Sequence, residues 1–492
     1  MRSSLRPVLL SFLLCVTGAT FLAAQPGDPV ALGTTPLERA LETINAAEIS
    51  ADLHFLASDA LQGRDTPSAE QRIAARFIAA RLARLGFTPG AQEGYFWSYS
   101  LPTVAVDLNL SNMEIASGET LTRLALGTDY AFYPGRVQYY EVSGTGAVYA
   151  GTMSDTDCEG LNIEDRWVIC RSSELSYSDL NRAVRKGKGL GVLLLAGGEL
   201  DAATMDSRVA SWAQKVGEGR LGSGRSNSKA RPYVYLSSAG EQKLFRAAGN
   251  AAPKVGDTFD LKITETRAKK ELSEAGLENV IGLWTGDDPV LRDELIILSA
   301  HYDHVGIDGE GGIFNGADDN GSGTSALLAV AEALSAYGPM RRSVMLMWVS
   351  GEEKGLLGSD AWTKDPYLPG GLRPVLNVNI DMVGRNDPNS LLITPTKEHH
   401  AYNGLTKLAE KLSSSEGFTN LGSADAYWGR SDHANFSRNL KIPVAFLFAD
   451  VHEDYHKVTD TPDKIDYDKV KRVSRLVVRM LAGLQDDKLD LN

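Results

Sequence analysis

IILSAHYDHVGIDGEGGIFNGADDNGSG, residues 296–323, is an apolar run that ends in a cluster of His and Asp side chains. Leu295–Leu298 sets four apolar residues in succession, the pattern of a strand buried on both faces of a parallel sheet. In open α/β sheets, ligands bind in the crevice outside the carboxyl ends of the strands, so His301, Asp303 and His304 fall where chemistry is usually placed. Asp318 and Asp319 follow on a glycine-rich loop, and Leu327, Leu328, Ala331 and Leu334 then recur at helical spacing. By itself the fragment fits two readings: half of a metal site, or a His-rich turn followed by Asp and Asn capping a helix.

Outward from this stretch, the apolar runs Asn279–Leu283, Val344–Val349, Leu376–Ile380 and Val444–Phe448 alternate with helical patterns. Such alternation predicts an α/β fold, a doubly wound and mostly parallel sheet with helices on both faces. Val470, Val473, Val477, Met480, Leu481 and Leu484 predict a closing helix over one face. Near the start, Ser68–Gln71 has the form of a capping box, and Ile73, Phe77, Ile78, Leu82 and Leu85 keep helical spacing up to Gly86. The arginines of that helix, Arg72, Arg76, Arg81 and Arg84, are expected to form a solvated outer face. From Gly146 to Asp260 the texture changes to short apolar runs separated by glycines, which predicts several short strands. Gly187–Gly191 superficially resembles a nucleotide loop, but it precedes a strand, whereas a phosphate loop follows one and opens a helix. Gly217–Ala230 is polar and rich in Gly and Ser, and reads as a surface loop.

Three further strand ends carry acidic or imidazole groups: Ser350-Gly-Glu-Glu353, Asp381, and Asp450 followed by Tyr455-His456. Each is unremarkable by itself, since paired glutamates are often surface charge and a lone Asp often caps a helix. Their recurrence at successive strand ends decides for a site. Two imidazoles and three carboxylates suit two zinc ions better than one, because a single catalytic zinc takes three protein ligands and a water. One carboxylate would bridge the pair. Glu352 and Glu353 offer a metal ligand and a general base side by side, and Asp303, two residues beyond His301, is placed to accept that imidazole's second ring proton.

The whole chain has 492 residues, 43% apolar and 23% charged, enough for two or three globular domains. Fifty basic against 63 acidic residues leave a formal charge of −13, which argues against a nucleic-acid or acidic-membrane partner and fits a soluble hydrolase. Residues 1–24 read as an export signal, with Arg2 and Arg6, an apolar centre Val8–Leu14, and Ala23-Ala24 at the end. The expected destination is periplasmic or extracellular, without stable membrane insertion after signal removal. Cys15 lies in the signal, so only Cys158 and Cys170 remain, as one bridge or as two buried thiols.

The motifs AHYDHVG (Ala300–Gly306), NGADDNGSG (Asn315–Gly323), GEEKGLLGS (Gly351–Ser359), NIDMVG (Asn379–Gly384), RSDHANF (Arg430–Phe436) and YHKVTDTPD (Tyr455–Asp463) resemble, in order, those of the two-zinc aminopeptidase family that includes glutamate carboxypeptidases and glutaminyl cyclases. The resemblance covers roughly Asp52 to the C-terminus. It implies that His301 and Asp381 hold one zinc ion, Glu353 and His456 the other, and Asp319 both, with Glu352 as general base. Tyr455 matches a tyrosine that in some members hydrogen-bonds the tetrahedral oxyanion and is absent from others, so oxyanion contact and simple packing both stand. It further implies an inserted, smaller β-rich protease-associated domain. The expected organisation is therefore a signal over 1–24, an N-terminal part of the peptidase domain over 25–140, the insert over 141–261, and the zinc-binding part over 262–492. The implied activity is removal of N-terminal residues from peptides. A carboxypeptidase or dipeptidase with the same metals, a glutaminyl cyclase, and a non-catalytic binding protein of the transferrin-receptor kind are the rivals. Side-chain preference and oligomeric state are left open.

Overall fold

The computed structural model describes residues 35–491 apart from 135–136, 154–160, 172–176, 199, 222–230, 309–310, 420 and 490. The expected signal, Cys158 and most of the Gly/Ser-rich loop lie outside the described residues, whereas Cys170 is buried.

Three helices come first. Thr35 and Glu38 form a full capping box on α1 (Pro36–Thr43), and Asn45 caps α2 (Ala46–Leu56). On α3 (Ala69–Arg84) only half of the expected box forms. The Ser68 hydroxyl accepts from the Gln71 N–H at 2.9 Å, but the buried Gln71 amide donates to Thr66 Oγ1 at 2.6 Å instead of turning back to the cap. Of the α3 arginines, Arg72, Arg76 and Arg84 are exposed as expected, although Arg76 and Arg84 pair with Glu278 and Glu332, whereas Arg81 pairs with Asp52. Arg81 is largely covered.

Two long strands, β1 (Phe96–Val106) and β2 (Lys269–Trp284), pair antiparallel and frame everything between them. Beyond β2 come β3 (Glu294–His301), β4 (Ser343–Val349), β5 (Arg373–Ile380), β6 (Leu391–Thr394), β7 (Leu421–Ser423) and β8 (Val444–Phe448). The large sheet runs β7-β6-β8-β5-β3-β4-β2-β1, with the short strands Thr88–Pro89 and Arg220–Leu221 beside β2 and β1. Its centre, β4, β3, β5 and β8, is parallel, and so is the edge pair β6 and β7. On either side, β2 and β6 join antiparallel, so the sheet is mixed, not mostly parallel as expected. A buried apolar run looks the same in sequence whichever way its strand points.

The central strands are buried on both faces. Leu295 and Ile297 of β3 meet Met345, Met347, Trp362 and Phe436 on one side. Ile296, Leu298 and Ala300 point the other way, into the core built with α4 (Gly323–Tyr337) and the last helix, α5 (Tyr467–Gly483). Each fully buried Leu or Ile contributes about 1.5–3 kcal/mol. The α5 positions expected to be covered, Val470, Val473, Val477, Met480, Leu481 and Leu484, are all buried.

A second sheet of eight strands lies between β1 and β2 in the chain, with its own cores. Its strands Asn112–Ser117, Thr120–Ala125 and Tyr130–Ala131 precede residue 141, so the expected lower edge of the insert falls inside this sheet. Half-exposed positions in the first two strands dilute their apolar signal. The antiparallel β1–β2 stem carries the chain out to this sheet and back.

Candidate metal centre

The catalytic candidates collect at one edge of the large sheet because the four parallel strands end there. His301 is the last residue of β3, Glu352 and Glu353 follow β4, and Asp381 directly follows β5. Tyr455 and His456 lie on the loop after β8, and Asp318 and Asp319 on the loop that opens α4.

The side chains form two clusters. In one, ligand atoms of His301, Glu352 and Asp381 lie within 4.8 Å of one another; in the other, those of His304, Asp319, Glu353 and His456 do. Asp319 reaches both. Its Oδ1 is 3.4 Å from His301 Nε2 and its Oδ2 is 2.9 Å from His456 Nε2. His301 Nε2 also lies 3.2 Å from Asp381 Oδ1, and His456 Nε2 lies 3.1 Å from Glu353 Oε2. The adjacent glutamates thus divide between the clusters, and Glu352 lines the open cleft beside them.

His304, noted at the strand end but given no role in the sequence reading, is fully buried with Nδ1 2.9 Å from Glu353 Oε1. Asp303 departs from expectation. The Nδ1 of His301 is 3.2 Å from the Asp303 main-chain carbonyl and 3.7 Å from its carboxylate. The Asp303 carboxylate instead accepts the N–H groups of Glu352 and Glu353, at 3.2 and 3.4 Å. A carbonyl orients the imidazole as a carboxylate would, which frees Asp303 to hold the glutamate pair. Tyr455 lines the cleft with its ring stacked 4.0 Å from that of His456.

Charges shape the site. Burial would raise Asp319, but hydrogen bonds from His301 and His456 hold it well below the usual carboxylate range. Burial and the Asp319 charge also oppose ionisation of Glu353, yet hydrogen bonds from His304 and His456 keep it low. Burial raises Asp381, and it raises Glu352 further with the help of Glu353 and Asp432. The imidazoles answer this field: against burial, Asp381 and Glu352 lift His301, while Asp319 and Glu353 lift His456 to about 10. Imidazole nitrogens and carboxylate oxygens converging in two adjoining sets, in a field that favours positive charge, are a donor set suited to zinc.

The supporting contacts were missed by sequence reasoning. Ser431 Oγ donates to Asp381 Oδ2 at 2.7 Å and accepts from Asn379. Asp460 accepts the N–H groups of Asp318 and Asp319. Arg64, 1% exposed, donates to the carbonyls of Leu56, Tyr302, Asn315 and Gly316. Gly316 itself has φ +58°, and a Cβ there would stand 2.3 Å from the Asp319 carbonyl and 2.5 Å from the His304 ring. Gly316→Ala should therefore cost about 1–3 kcal/mol and weaken zinc binding, read by thermal denaturation and metal titration. Unchanged values in both would show that the loop tolerates the side chain.

Fold and site together define an α/β protein with a two-part imidazole–carboxylate centre at the ends of parallel strands. Residues 279–481 match the model of peptidase family M28. A probable leucine aminopeptidase of Arthroderma otae is 28% identical over 199 residues, covering 39% of this chain and 54% of that protein. Aminopeptidase YwaD of Bacillus subtilis is 26% identical over 231 residues, 45% of this chain and 48% of its own length. The chain thus spans about half the length of the curated relatives it matches. Among solved structures, the aminopeptidase from Aneurinibacillus sp. strain AM-1 superposes with a TM-score of 0.55 at 19% identity, over 93% of this chain and 97% of that one. BSAP, a zinc aminopeptidase from Bacillus subtilis, does so with 0.54 at 17%, over 91% and 98%. At these identities the likeness is one of fold.

Proposed function

We propose that this protein is an exported zinc aminopeptidase that holds two zinc ions and hydrolyses N-terminal residues from peptides. The observation that carries the reading is Asp319, whose two oxygens face separate clusters. His301 and Asp381 would hold one ion and Glu353 and His456 the other, with Asp319 placed to serve both. When bound, the zinc pair supplies the Lewis acidity that makes water a nucleophile at neutral pH and polarises the scissile carbonyl. Glu352, lining the cleft, takes the attacking water's proton and passes it to the leaving amine. Asp303 keeps both glutamates in register through their N–H groups, and His304 fixes the outer oxygen of Glu353. Tyr455 borders the same cleft, where its hydroxyl can meet the tetrahedral oxyanion.

Metal analysis of the purified mature chain should give about two zinc ions. One ion with full activity under saturating zinc contradicts the paired-metal reading. Incubation with a peptide library, read by mass spectrometry, should show loss of N-terminal residues; C-terminal trimming would point to a carboxypeptidase.

The N-terminal 24 residues support export, and no helix among the described residues is long and apolar enough to cross a membrane. We read the eight-stranded sheet as a protease-associated module that narrows access to the centre. Its deletion should admit longer peptides, and a folded deletion variant with unchanged kinetics on every length would argue for a separate binding role.

A further inference from the structure

We propose that Arg430 is a carboxylate-binding residue of the substrate cleft, so that the preferred substrates are peptides with a free carboxylate on a residue next to the scissile bond. The proposal rests on the aminopeptidase reading and adds to it the class of substrate.

The cleft beside the candidate metal ligands is narrow, with a cavity volume of about 30 Å³. One wall is formed by His301, Asp319, Glu352 and Asp381, and the other is mostly apolar or aromatic, with Met382, Tyr427, Phe446, Phe448 and Tyr455. Arg430 is the one guanidinium or ammonium group lining it among the described residues. Its main-chain N–H donates to the Tyr427 carbonyl at 2.9 Å, and its guanidinium carbon sits 5.9 Å from the Tyr427 ring centroid. The turn fixes the backbone of Arg430 beside the cleft, its side chain is exposed at the rim, and no carboxylate of the described residues lies within ion-pair distance of it.

Other arginines near the site are committed to protein partners. Arg64 is spent on four carbonyls, and Arg385 pairs with Asp454 at 2.8 Å. Arg430 keeps a free planar fork, the geometry that accepts a carboxylate through two parallel hydrogen bonds. The cleft is smaller than ordinary ligand pockets, so a carboxylate that reaches the rim while a peptide bond lies at the metal ligands is carried by a residue flanking that bond. Two sources share this chemistry: the C-terminus of a dipeptide, and an acidic side chain.

The test compares kcat/KM of the zinc-loaded mature protein and its Arg430→Ala variant on Leu-Ala, Leu-Ala amide, Leu-Asp amide and Asp-Ala amide. The parent should favour at least one carboxylate-bearing substrate over Leu-Ala amide by about 10- to 100-fold, and Arg430→Ala should bring that ratio close to one. Arg430→Lys should keep part of it, because the charge remains while the fork is lost. Leu-Ala ahead of the two acidic amides identifies the C-terminus as the source; the reverse identifies the side chain. A parent ratio near one, or a ratio that Arg430→Ala leaves unchanged, overturns the proposal. A second arm measures binding of the same four compounds to zinc-loaded Glu352→Gln protein with and without Arg430→Ala. That arm decides the role of Arg430 even if the parent cleaves none of the four, an outcome that would count against the aminopeptidase reading alone.

Discussion

Replacing Glu352 by Gln is expected to leave the zinc content intact and to lower turnover about 10²–10⁴-fold, the usual range for a lost general base. Glu352 is half-buried and lines the cleft, while Glu353, whose side chain is 6% exposed, lies between His304 and His456. The amide keeps the shape of the side chain and removes the basic oxygen, so substrate binding should survive. Glu353→Gln should act differently, weakening one zinc ion, because an amide oxygen is the poorer ligand and compensates less of the metal's charge. Excess zinc should then restore part of the activity. The geometry makes this a sharp test, since Glu352 also lies within ligand distance of His301 and Asp381. If Glu352→Gln loses metal while Glu353→Gln keeps both ions, the two roles are exchanged.

The second large effect is expected at a buried residue that does not line the cleft. Arg64 donates at 2.6 Å to Leu56 and Asn315, at 2.9 Å to Gly316 and at 3.0 Å to Tyr302, all main-chain carbonyls. Burial lowers its pKa to about 10, with Asp319, Asp303, Asp460 and Glu353 opposing the drop, so it remains a cation at neutral pH. Its bonds join the loop that carries His304 to the loop that carries Asp319. Arg64→Met would take a donor from each of four buried carbonyls, of which that of Gly316 keeps a second, the Gly321 N–H, and would take a neighbouring charge from the carboxylates. A loss of about 3–5 kcal/mol follows, with a fall in Tm on the order of 10 °C and weaker zinc binding. Arg64→Lys should lie between the two, since an ammonium cannot span the same fork. Calorimetry and metal titration of the three proteins check this; parent-like values for Arg64→Met would mean that the loops hold their positions unaided.

Nothing local marks Arg64 as different from the arginines around it. Its partners at Tyr302, Asn315 and Gly316 are 238 to 252 residues away along the chain, so no window of sequence contains the interaction. The same holds for Ser431, whose bond to Asp381 crosses 50 residues, and for Asp460, which accepts the Asp318 N–H across 142. His304 was visible as a residue type at a strand end, but its contact with Glu353 depends on where β3 and β4 stop relative to one another.

By itself the amino-acid sequence determined the α/β class and the strands whose ends carry chemistry, because side-chain type and apolar periodicity are local properties, and the resemblance of its motifs narrowed the strand-end groups to His301, Asp319, Glu352, Glu353, Asp381 and His456. Only the tertiary structure decided that antiparallel joins at β2 and β6 make the sheet mixed, that the second sheet begins before residue 141, and that Asp303 holds the glutamate pair through their N–H groups. It alone also set the two neighbouring glutamates into different clusters, with an unpaired guanidinium at the rim of the cleft. Strand direction, register and the distance between remote side chains come from pairing and packing across the whole chain, and those are written in no single stretch of it.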